Sequence, residues 1–301
     1  MTSPAPGLIH RWLLAARPKT LWAAVGPVMI GTAMASTTEA GAHAPSAWMA
    51  LAGAILLQIG TNFCNDYADF IKGADTDRRT GPARAVASGW ITPRQMLIAT
   101  ILVFTLAALV CGWLVLRAGW PLILLGVVSI AAGVLYTAGP YPLAYVGLGD
   151  LFVLVFFGPV ATAGSYYVQT LEFSWLAAAA GIGPGFLSVA ILTVNNLRDR
   201  ISDTEAGKRT LAVRFGAGFA RVEYMLCLLI AAVMPFVLVA WAGPQHRNAL
   251  AATLILFASW PVIRLVLTRT GRELNPGLGM TALLLLAYSL AFSIGWAMVR
   301  T

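Results

Sequence analysis

Charged residues are scarce in this chain. Asp, Glu, Lys and Arg make up only 11% of its 301 residues, whereas hydrophobic residues make up 59%. A soluble domain usually has about 25% charged residues and less than about 50% apolar ones. The length would allow two soluble domains, but this deficit predicts one integral membrane domain over residues 1–301. It also excludes a soluble phosphatase or nuclease.

Cysteine and targeting signals are equally sparse. The three cysteines, Cys64, Cys111 and Cys227, lie inside apolar segments without the spacing of a metal site, so we interpret them as small buried hydrophobic residues. The first residues contain no apolar stretch followed by a cleavage site, so we expect no removed signal peptide.

Long apolar stretches dominate the rest of the chain. A helix needs roughly 17–25 mostly apolar residues to cross a hydrocarbon core of about 30 Å. Stretches of this kind predict an all-α bundle of nine transmembrane helices, at about 20–37, 47–66, 95–116, 120–138, 146–168, 174–195, 218–241, 249–268 and 278–299. The longest connections are predicted at 70–94 and 198–217.

The basic residues indicate the orientation. With a cytoplasmic N-terminus, nine spans place every Lys and Arg on the cytoplasmic side except Arg117, Arg247 and Arg300, as the positive-inside rule requires. We therefore expect a multi-pass protein of the plasma membrane. The net charge of +8 then favours lipid headgroups and phosphates as partners, not nucleic acid.

Two acidic motifs end the second and sixth spans. The first is N-F-C-N-D-Y-A-D-F-I-K-G-A-D-T-D at 62–77, and the second is N-N-L-R-D-R-I-S-D at 195–203. The loops that follow also resemble each other, D-T-D-R-R-T at 75–80 and D-T-E-A-G-K-R-T at 203–210. This weak repeat predicts two four-helix halves whose polar ends meet, plus a ninth helix.

The spacing inside these motifs is typical of a metal site. Asn65 and Asp69 are four residues apart, as are Asp199 and Asp203, so each pair lies on one face of a helix. Ionised carboxylates beside hydrocarbon are costly, and such oxygens suit Mg²⁺, which binds substrate phosphates. Asp66 is a further candidate metal ligand, but it lies about 100° round the helix from Asn65, so its role stays open.

Basic residues near these motifs complete a predicted diphosphate site. Lys72, Arg198, Lys208 and Arg209 are placed to neutralise phosphate charge. Cations placed in advance stabilise a departing diphosphate and so promote cleavage of an allylic C–O bond. The apolar bundle would hold a prenyl tail and keep water from the carbocation.

The motifs resemble those of the UbiA superfamily of intramembrane prenyltransferases, most closely the MenA branch, which acts on 1,4-dihydroxy-2-naphthoate. The resemblance covers roughly residues 15–300. It is carried by N-D-Y-A-D-F-I-K-G-A-D-T from Asn65, G-P-A-R-A-V-A-S-G-W-I-T from Gly81 and N-N-L-R-D-R-I-S-D-T-E-A-G-K-R-T from Asn195. The stretch G-L-G-D-L from Gly147 is also similar, with Asp150 where that branch more often has Glu.

The resemblance implies helices around a central cavity and Mg²⁺-dependent transfer of a polyprenyl chain from polyprenyl diphosphate to the naphthoate ring. CO₂ is lost from the ring and the product is demethylmenaquinone. It further implies Asp69, Asp199, Lys72 and Asn62 as catalytic residues, with the metal held by the acidic pairs. Substrate contacts are expected from the four basic residues named above and from Tyr67, Tyr136, Tyr141, Asn195 and Asn196. For Tyr136 and Tyr141 an interfacial role is the alternative, because tyrosine is enriched at membrane surfaces.

Other functions stay open at this point. Another aromatic acceptor, such as 4-hydroxybenzoate, haem or a chlorophyll precursor, would use the same site. A transporter is the alternative of another class, but transporters place ionisable groups near the middle of their spans. A purely structural protein leaves the repeated costly aspartates unexplained.

Overall fold

The computed structural model describes residues 6–74 and 80–299, and within these ranges the chain is helical with no β-strand. The helices in chain order are α1 Leu8–Ala16, α2 Pro18–Ser36, α3 Ala44–Ile71, α4 Pro93–Ala118, α5 Pro121–Leu135, α6 Gly149–Thr170, α7 Trp175–Glu205, α8 Leu211–Ala242, α9 Pro244–Thr268 and α10 Gly271–Ala297. The first, α1, is a short amphipathic helix that precedes the bundle.

Seven of these helices are long and apolar enough to cross a membrane, namely α3, α4 and α6–α10. The predicted all-helical membrane protein is thus confirmed for the described residues. The first and fourth predicted spans, which correspond to α2 and α5, are not among these seven helices. Helix α2 is 19 residues long but less apolar, since it begins next to Lys19, and α5 has only 15 residues. The count of nine spans therefore remains a prediction.

Two predicted boundaries are wrong in the same way. Helix α3 continues to Ile71 and α7 continues to Glu205, so both acidic motifs lie on the last turns of helices that extend beyond their apolar stretch. The predicted loop 198–217 is mostly helical, because α8 begins at Leu211. Backbone hydrogen bonding continues past the apolar residues, which is why hydropathy alone ended both helices too early. Of the predicted loop 70–94, residues 75–79 lie outside the described part of the chain.

Local signals fix where several helices begin. Thr92 and Gln95 form a reciprocal capping box at the start of α4, followed by Pro93 at the first helical position. Thr210 accepts a hydrogen bond from the Val213 N–H at the start of α8. Such caps satisfy N–H groups that have no partner within the helix. They define where the helix after each of these two loops begins.

Helix α6 and the start of α7 pack in direct backbone contact. A π-helical turn interrupts α6 at Phe156–Val160, because Pro159 has no N–H to donate. A Cβ atom on Gly181 would lie 2.5 Å from the Gly158 carbonyl, and one on Gly185 would lie 3.0 Å from the Gly158 Cα. Glycine here allows two backbones to touch, a common device in membrane bundles.

Apolar side chains also cover much of the outer surface. Leu102, Leu109 and Leu116 of α4 and Leu229 of α8 are more than half exposed. In a soluble protein a continuous apolar surface of this kind would promote aggregation. On helices of membrane length it indicates contact with lipid.

We predict that Gly181→Ala lowers the midpoint of thermal unfolding in detergent, equivalent to a loss of about 1–3 kcal/mol, because the new methyl group must push two backbones apart. The matched control is Gly112→Ala in α4, where an added Cβ meets no atom within 4 Å. That change should leave the midpoint unchanged or raise it, since alanine favours a helix. Equal midpoints for the two variants would contradict the close packing described here.

Candidate active site

Asp69, on the last turn of α3, lies at the centre of a polar cluster. Its carboxylate accepts hydrogen bonds from the Tyr145 hydroxyl at 2.9 Å, the Arg84 guanidinium at 3.1 Å and the Lys208 ammonium at 3.2 Å. Each donor comes from a different connection between helices. The buried negative charge is therefore paired with two cations, as a carboxylate beside hydrocarbon requires.

Tyr145 also organises the cations around Asp69. The Lys72 and Lys208 ammonium groups each lie 4.8 Å from the centre of its ring, within the range of a cation–π interaction. Lys72 additionally donates to the carbonyl oxygens of Thr137 at 2.7 Å and Gly139 at 3.3 Å. Burial lowers the pKa of Lys72. Two lysines thus flank one ring next to the first acidic motif.

The second acidic motif has its own basic partner. The Asp199 carboxylate accepts from the Thr80 hydroxyl at 2.6 Å and from the Arg198 Nε at 2.9 Å. Arg198 is buried and also donates to the side-chain oxygens of Asn195 at 2.7 Å and Asn275 at 3.2 Å. Arg198 therefore orients Asp199 from behind, and its donors are directed at protein groups.

Both motifs face one large cavity of about 380 Å³. At one end it is apolar, where Ala50, Leu114, Leu122 and Val168 line it. At the other end it is polar. The predicted site residues that line it are Asn62, Asn65, Asp69, Tyr136, Asn195, Asn196, Asp199, Asp203 and Lys208. The structure thus brings the two distant acidic motifs to one cavity, as the sequence pattern predicted.

Asn62 and Asn65 hold the wall of this cavity. The Asn62 amide donates to the Ala16 carbonyl oxygen at 2.9 Å and to the Thr20 hydroxyl at 3.2 Å. It therefore ties α3 to the junction of α1 and α2. The Asn65 side-chain oxygen accepts from the Thr137 hydroxyl. Asn62 thus lines the cavity with its amide bonded to protein groups, and its catalytic role stays a prediction.

Two side chains of α3, Asp66 and Tyr67, point away from the cavity. Asp66 is not among the described residues that line the cavity; its carboxylate accepts the backbone N–H of Ala85 at 3.0 Å and of Val86 at 3.4 Å. It anchors the loop before α4, and a role in metal binding stays a prediction. Tyr67 packs against the apolar cluster around Phe63. Both side chains lie round the helix from Asn65 and Asp69, which turns them away from the cavity.

The remaining predicted contacts lie outside the lining. Tyr141 is 80% exposed because it sits at the tip of the turn after α5. Arg209 is exposed and joins the neighbouring loop through its backbone, with its N–H donating to the Tyr145 carbonyl at 2.9 Å. Lys72 and Arg198 are not among the described lining residues. Their side chains donate to protein groups instead. The predicted substrate contacts of these four residues are not supported by the arrangement of the described residues.

Sequence reasoning missed three residues that complete the site. Arg84 and Thr80 lie in the loop after the first acidic motif, and no spacing in the sequence distinguishes Tyr145 from its neighbours Tyr136 and Tyr141. Arg84 belongs to the G-P-A-R-A-V stretch, so its motif was visible but its partner was not. Arg17 also lines the cavity, with the left-handed backbone conformation (φ 52°) that joins α1 to α2.

The donor set fits a hard divalent cation. Asn65, Asp69, Asp199 and Asp203 offer carboxylate and amide oxygens to one cavity, and Mg²⁺ prefers oxygen ligands. No group of three or more His, Cys, Asp or Glu side chains comes together among the described residues. Mg²⁺ needs few protein ligands, because it keeps several waters and binds substrate phosphates. The chemistry of these residues is therefore suited to a metal–phosphate complex that bridges both motifs.

We predict that Asp66→Ala lowers the thermal stability of the metal-free protein by about 1–3 kcal/mol, because it leaves two buried N–H groups without an acceptor. The measurement is thermal unfolding in detergent without Mg²⁺. Removal of a mere metal ligand would not destabilise the metal-free protein, so an unchanged midpoint would contradict the anchor role. The control is Glu273→Ala, which breaks an exposed ion pair with Arg269 and should have little effect.

Comparison with known proteins gives a consistent result. A family model described as the UbiA prenyltransferase family matches residues 24–280. The chain is similar to the 1,4-dihydroxy-2-naphthoate octaprenyltransferase of Mycobacterium tuberculosis (strain ATCC 25618 / H37Rv), with 43% identity over 284 residues that cover 93% of this chain and 94% of that protein. It is 40% identical over 243 residues to the protein of the same name from Escherichia coli (strain K12), covering 78% of this chain and 77% of that one.

A solved structure resembles the fold. The UbiA homolog from Archaeoglobus fulgidus bound to DMAPP and Mg²⁺ aligns with a TM-score of 0.64 and 16% sequence identity, covering 94% of this chain and 99% of that chain. At this identity the likeness concerns the fold alone.

Proposed function

The chain belongs to the UbiA prenyltransferase family, and we propose that it transfers a polyprenyl chain from polyprenyl diphosphate to 1,4-dihydroxy-2-naphthoate. Diphosphate and CO₂ are released, and the immediate product is the hydroquinone form of demethylmenaquinone, an intermediate of menaquinone biosynthesis. The observation that carries the proposal is the meeting of two acidic motifs at the polar end of one apolar cavity. The naphthoate acceptor is supported by the names of relatives that are 43% and 40% identical.

The polar end of the cavity is suited to bind the diphosphate. Asn65, Asp69, Asp199 and Asp203 would hold Mg²⁺, which when bound would supply positive charge to the leaving diphosphate. Lys208 lines the cavity beside them and is placed to bind phosphate oxygens directly. Arg84, held at Asp69, adds a second cation at the same point. Preplaced positive charge of this kind favours cleavage of the allylic C–O bond.

The apolar part of the cavity is suited to the prenyl chain. Asp69 and Ala50 both line the cavity and both lie on α3, so the lining extends about 28 Å at a rise of about 1.5 Å per residue. A slot of that length accommodates several isoprene units in an extended form. Its walls also exclude water, which would otherwise capture an allylic cation.

The membrane placement is part of the same proposal. We infer a single domain with nine spans, a cytoplasmic N-terminus and the polar end of the cavity at the cytoplasmic face of the plasma membrane. The contact of Asp69 with Lys208 supports this placement, because it puts the ends of α3 and α7 on the same side. The apolar outer surface supports contact with membrane lipids.

The test of function is turnover by the purified protein in detergent with Mg²⁺, a polyprenyl diphosphate and 1,4-dihydroxy-2-naphthoate. We expect CO₂ release and a lipid product that both stop when EDTA removes the metal. We expect no product with 4-hydroxybenzoate in place of the naphthoate. Product with 4-hydroxybenzoate alone would leave the diphosphate site standing and contradict the acceptor.

The same assay tests the acidic motifs. Asp69→Asn and Asp199→Asn should each lower turnover at least about 100-fold, because each removes a charge that the metal–diphosphate complex requires. Glu273→Gln, on the exposed surface, is the matched carboxylate-to-amide control and should retain full activity. Full turnover by either aspartate variant would contradict the metal assignment.

A further inference from the structure

A second, much smaller cavity lies next to the large one. Its volume of about 10 Å³ is close to the space that one water molecule occupies. Its polar lining residues are Tyr136, Asp150, Asn196 and Thr210. Tyr136, Asn196 and Thr210 also line the large cavity. The two spaces are thus separated by a wall that is one side chain thick.

Asp150 is the unusual member of this lining. It is only 8% exposed, and its Oδ1 atom has no hydrogen-bond partner among the described residues. Most buried polar atoms are paired, so an orphaned carboxylate oxygen requires an explanation. In membrane segments a buried acid of this kind generally marks a functional site.

The backbone brings Asp150 close to Tyr136. An added Cβ on Gly149 would lie 3.1 Å from the Tyr136 hydroxyl, so the backbone of Gly149 comes close to the tyrosine. Gly147, with a φ of 78°, makes the turn into α6. Asp150 follows in the first turn of α6, where the unpaired backbone N–H groups favour a negative charge. The carboxylate therefore lies next to the tyrosine, in the lining of the same small cavity.

The small cavity is not suited to a second divalent cation. It offers one carboxylate, and its volume leaves no room for the waters that Mg²⁺ retains. It is suited to one water molecule, with Asp150, Asn196, Thr210 and Tyr136 as hydrogen-bond partners. Such a water would connect the carboxylate with the wall of the reaction cavity.

The proposed reaction needs a group that takes up a proton. When the ring carbon that bears the carboxylate bonds to the prenyl carbon, the ring hydroxyl releases electron density and becomes a carbonyl, so its proton must leave. Loss of CO₂ then restores the aromatic ring, and the oxygen regains a proton. The exchange is balanced, since one proton departs and one returns.

We propose that Asp150 is the proton acceptor for the ring hydroxyl of the naphthoate, reached through Tyr136 and a water in the small cavity. This inference rests on the proposed function. The hydroxyl of Tyr136 takes the proton from the acceptor while its own proton passes through the water to a carboxylate oxygen of Asp150. The proton returns by the same route after CO₂ has left.

Other ionisable groups near this relay are few. Glu223 and Cys227 interact electrostatically with Asp150, and Arg17, Asp69 and Asp203 do so with Tyr136. Glu223 is not among the described residues that line either cavity. It is therefore a matched control: an acid in the same bundle that has no route to the acceptor.

The experiment compares the intact wild-type protein with Asp150→Asn, Asp150→Glu, Tyr136→Phe and Glu223→Gln, in detergent with Mg²⁺ and without oxygen. We expect Asp150→Asn to lower kcat roughly 100-fold, the usual scale of a lost general base. KM for the naphthoate and binding of the polyprenyl diphosphate should stay unchanged. Asp150→Glu should recover part of the rate, and Glu223→Gln should match the wild type.

The pH profile separates this role from a structural one. In Asp150→Asn the rate should rise about tenfold per pH unit below the pKa of the naphthoate hydroxyl, because solvent then removes the proton. The wild-type rate should not show this rise. Tyr136→Phe should show the same loss of rate and the same pH dependence as Asp150→Asn. If the aspartate variants do not fold, the pH profile of Tyr136→Phe tests the relay.

Three results would overturn the relay while leaving the prenyl transfer intact: a rate for Asp150→Asn within about twofold of the wild type, an equal loss in Glu223→Gln, or full activity in Tyr136→Phe. A wild-type protein that binds the diphosphate but yields no product with the naphthoate would overturn the relay and the proposed function together.

Discussion

One carboxylate holds the polar end of this bundle together. Asp69 at the end of α3 receives Arg84 from the loop before α4, Tyr145 from the turn before α6 and Lys208 from the connection between α7 and α8. A charge in this position is unfavourable unless it is paired, so the three connections are drawn to one point. The polar end of the cavity exists because these connections converge there.

The second motif repeats this solution with different partners. Asp199 is held by its neighbour Arg198 and by Thr80, and Arg198 is held in turn by Asn195 and Asn275. The cations paired with Asp69 of the first motif come from distant loops. The cation paired with Asp199, Arg198, belongs to the second motif itself. A diphosphate bound between the two motifs would therefore lie next to two carboxylates whose cationic partners differ in conformational freedom. Lys208 has a flexible stem and, among the described residues, one carboxylate partner, but Arg198 is bonded to Asn195, Asp199 and Asn275.

The sequence predicted the parts of the site that depend on local geometry. Asn65, Asp69, Asp199 and Asp203 followed from a spacing of four on a helix, and their meeting followed from the helix count and the charge asymmetry. The basic partners depend on contacts between residues far apart in the chain, such as Arg84 with Asp69, and no local pattern reports these. Hydropathy likewise found the apolar stretches but ended α3 and α7 too early, since polar turns continue a helix without adding apolar residues. Asp66 shows the same limit, because its partners are backbone N–H groups that no side-chain motif contains.

The length of α3 has a consequence for where the bond breaks. Its 28 residues span about 42 Å, whereas the hydrocarbon layer is about 30 Å thick. In the proposed membrane placement the acidic end reaches the headgroup layer while the opposite end of the cavity stays within the acyl chains. A donor with a charged head and an oily tail can remain in its ordinary bilayer orientation as it binds, with no need to flip or to leave the leaflet. Bilayer thickness thus becomes a parameter of the enzyme, because it sets how far the reacting carbon lies from water.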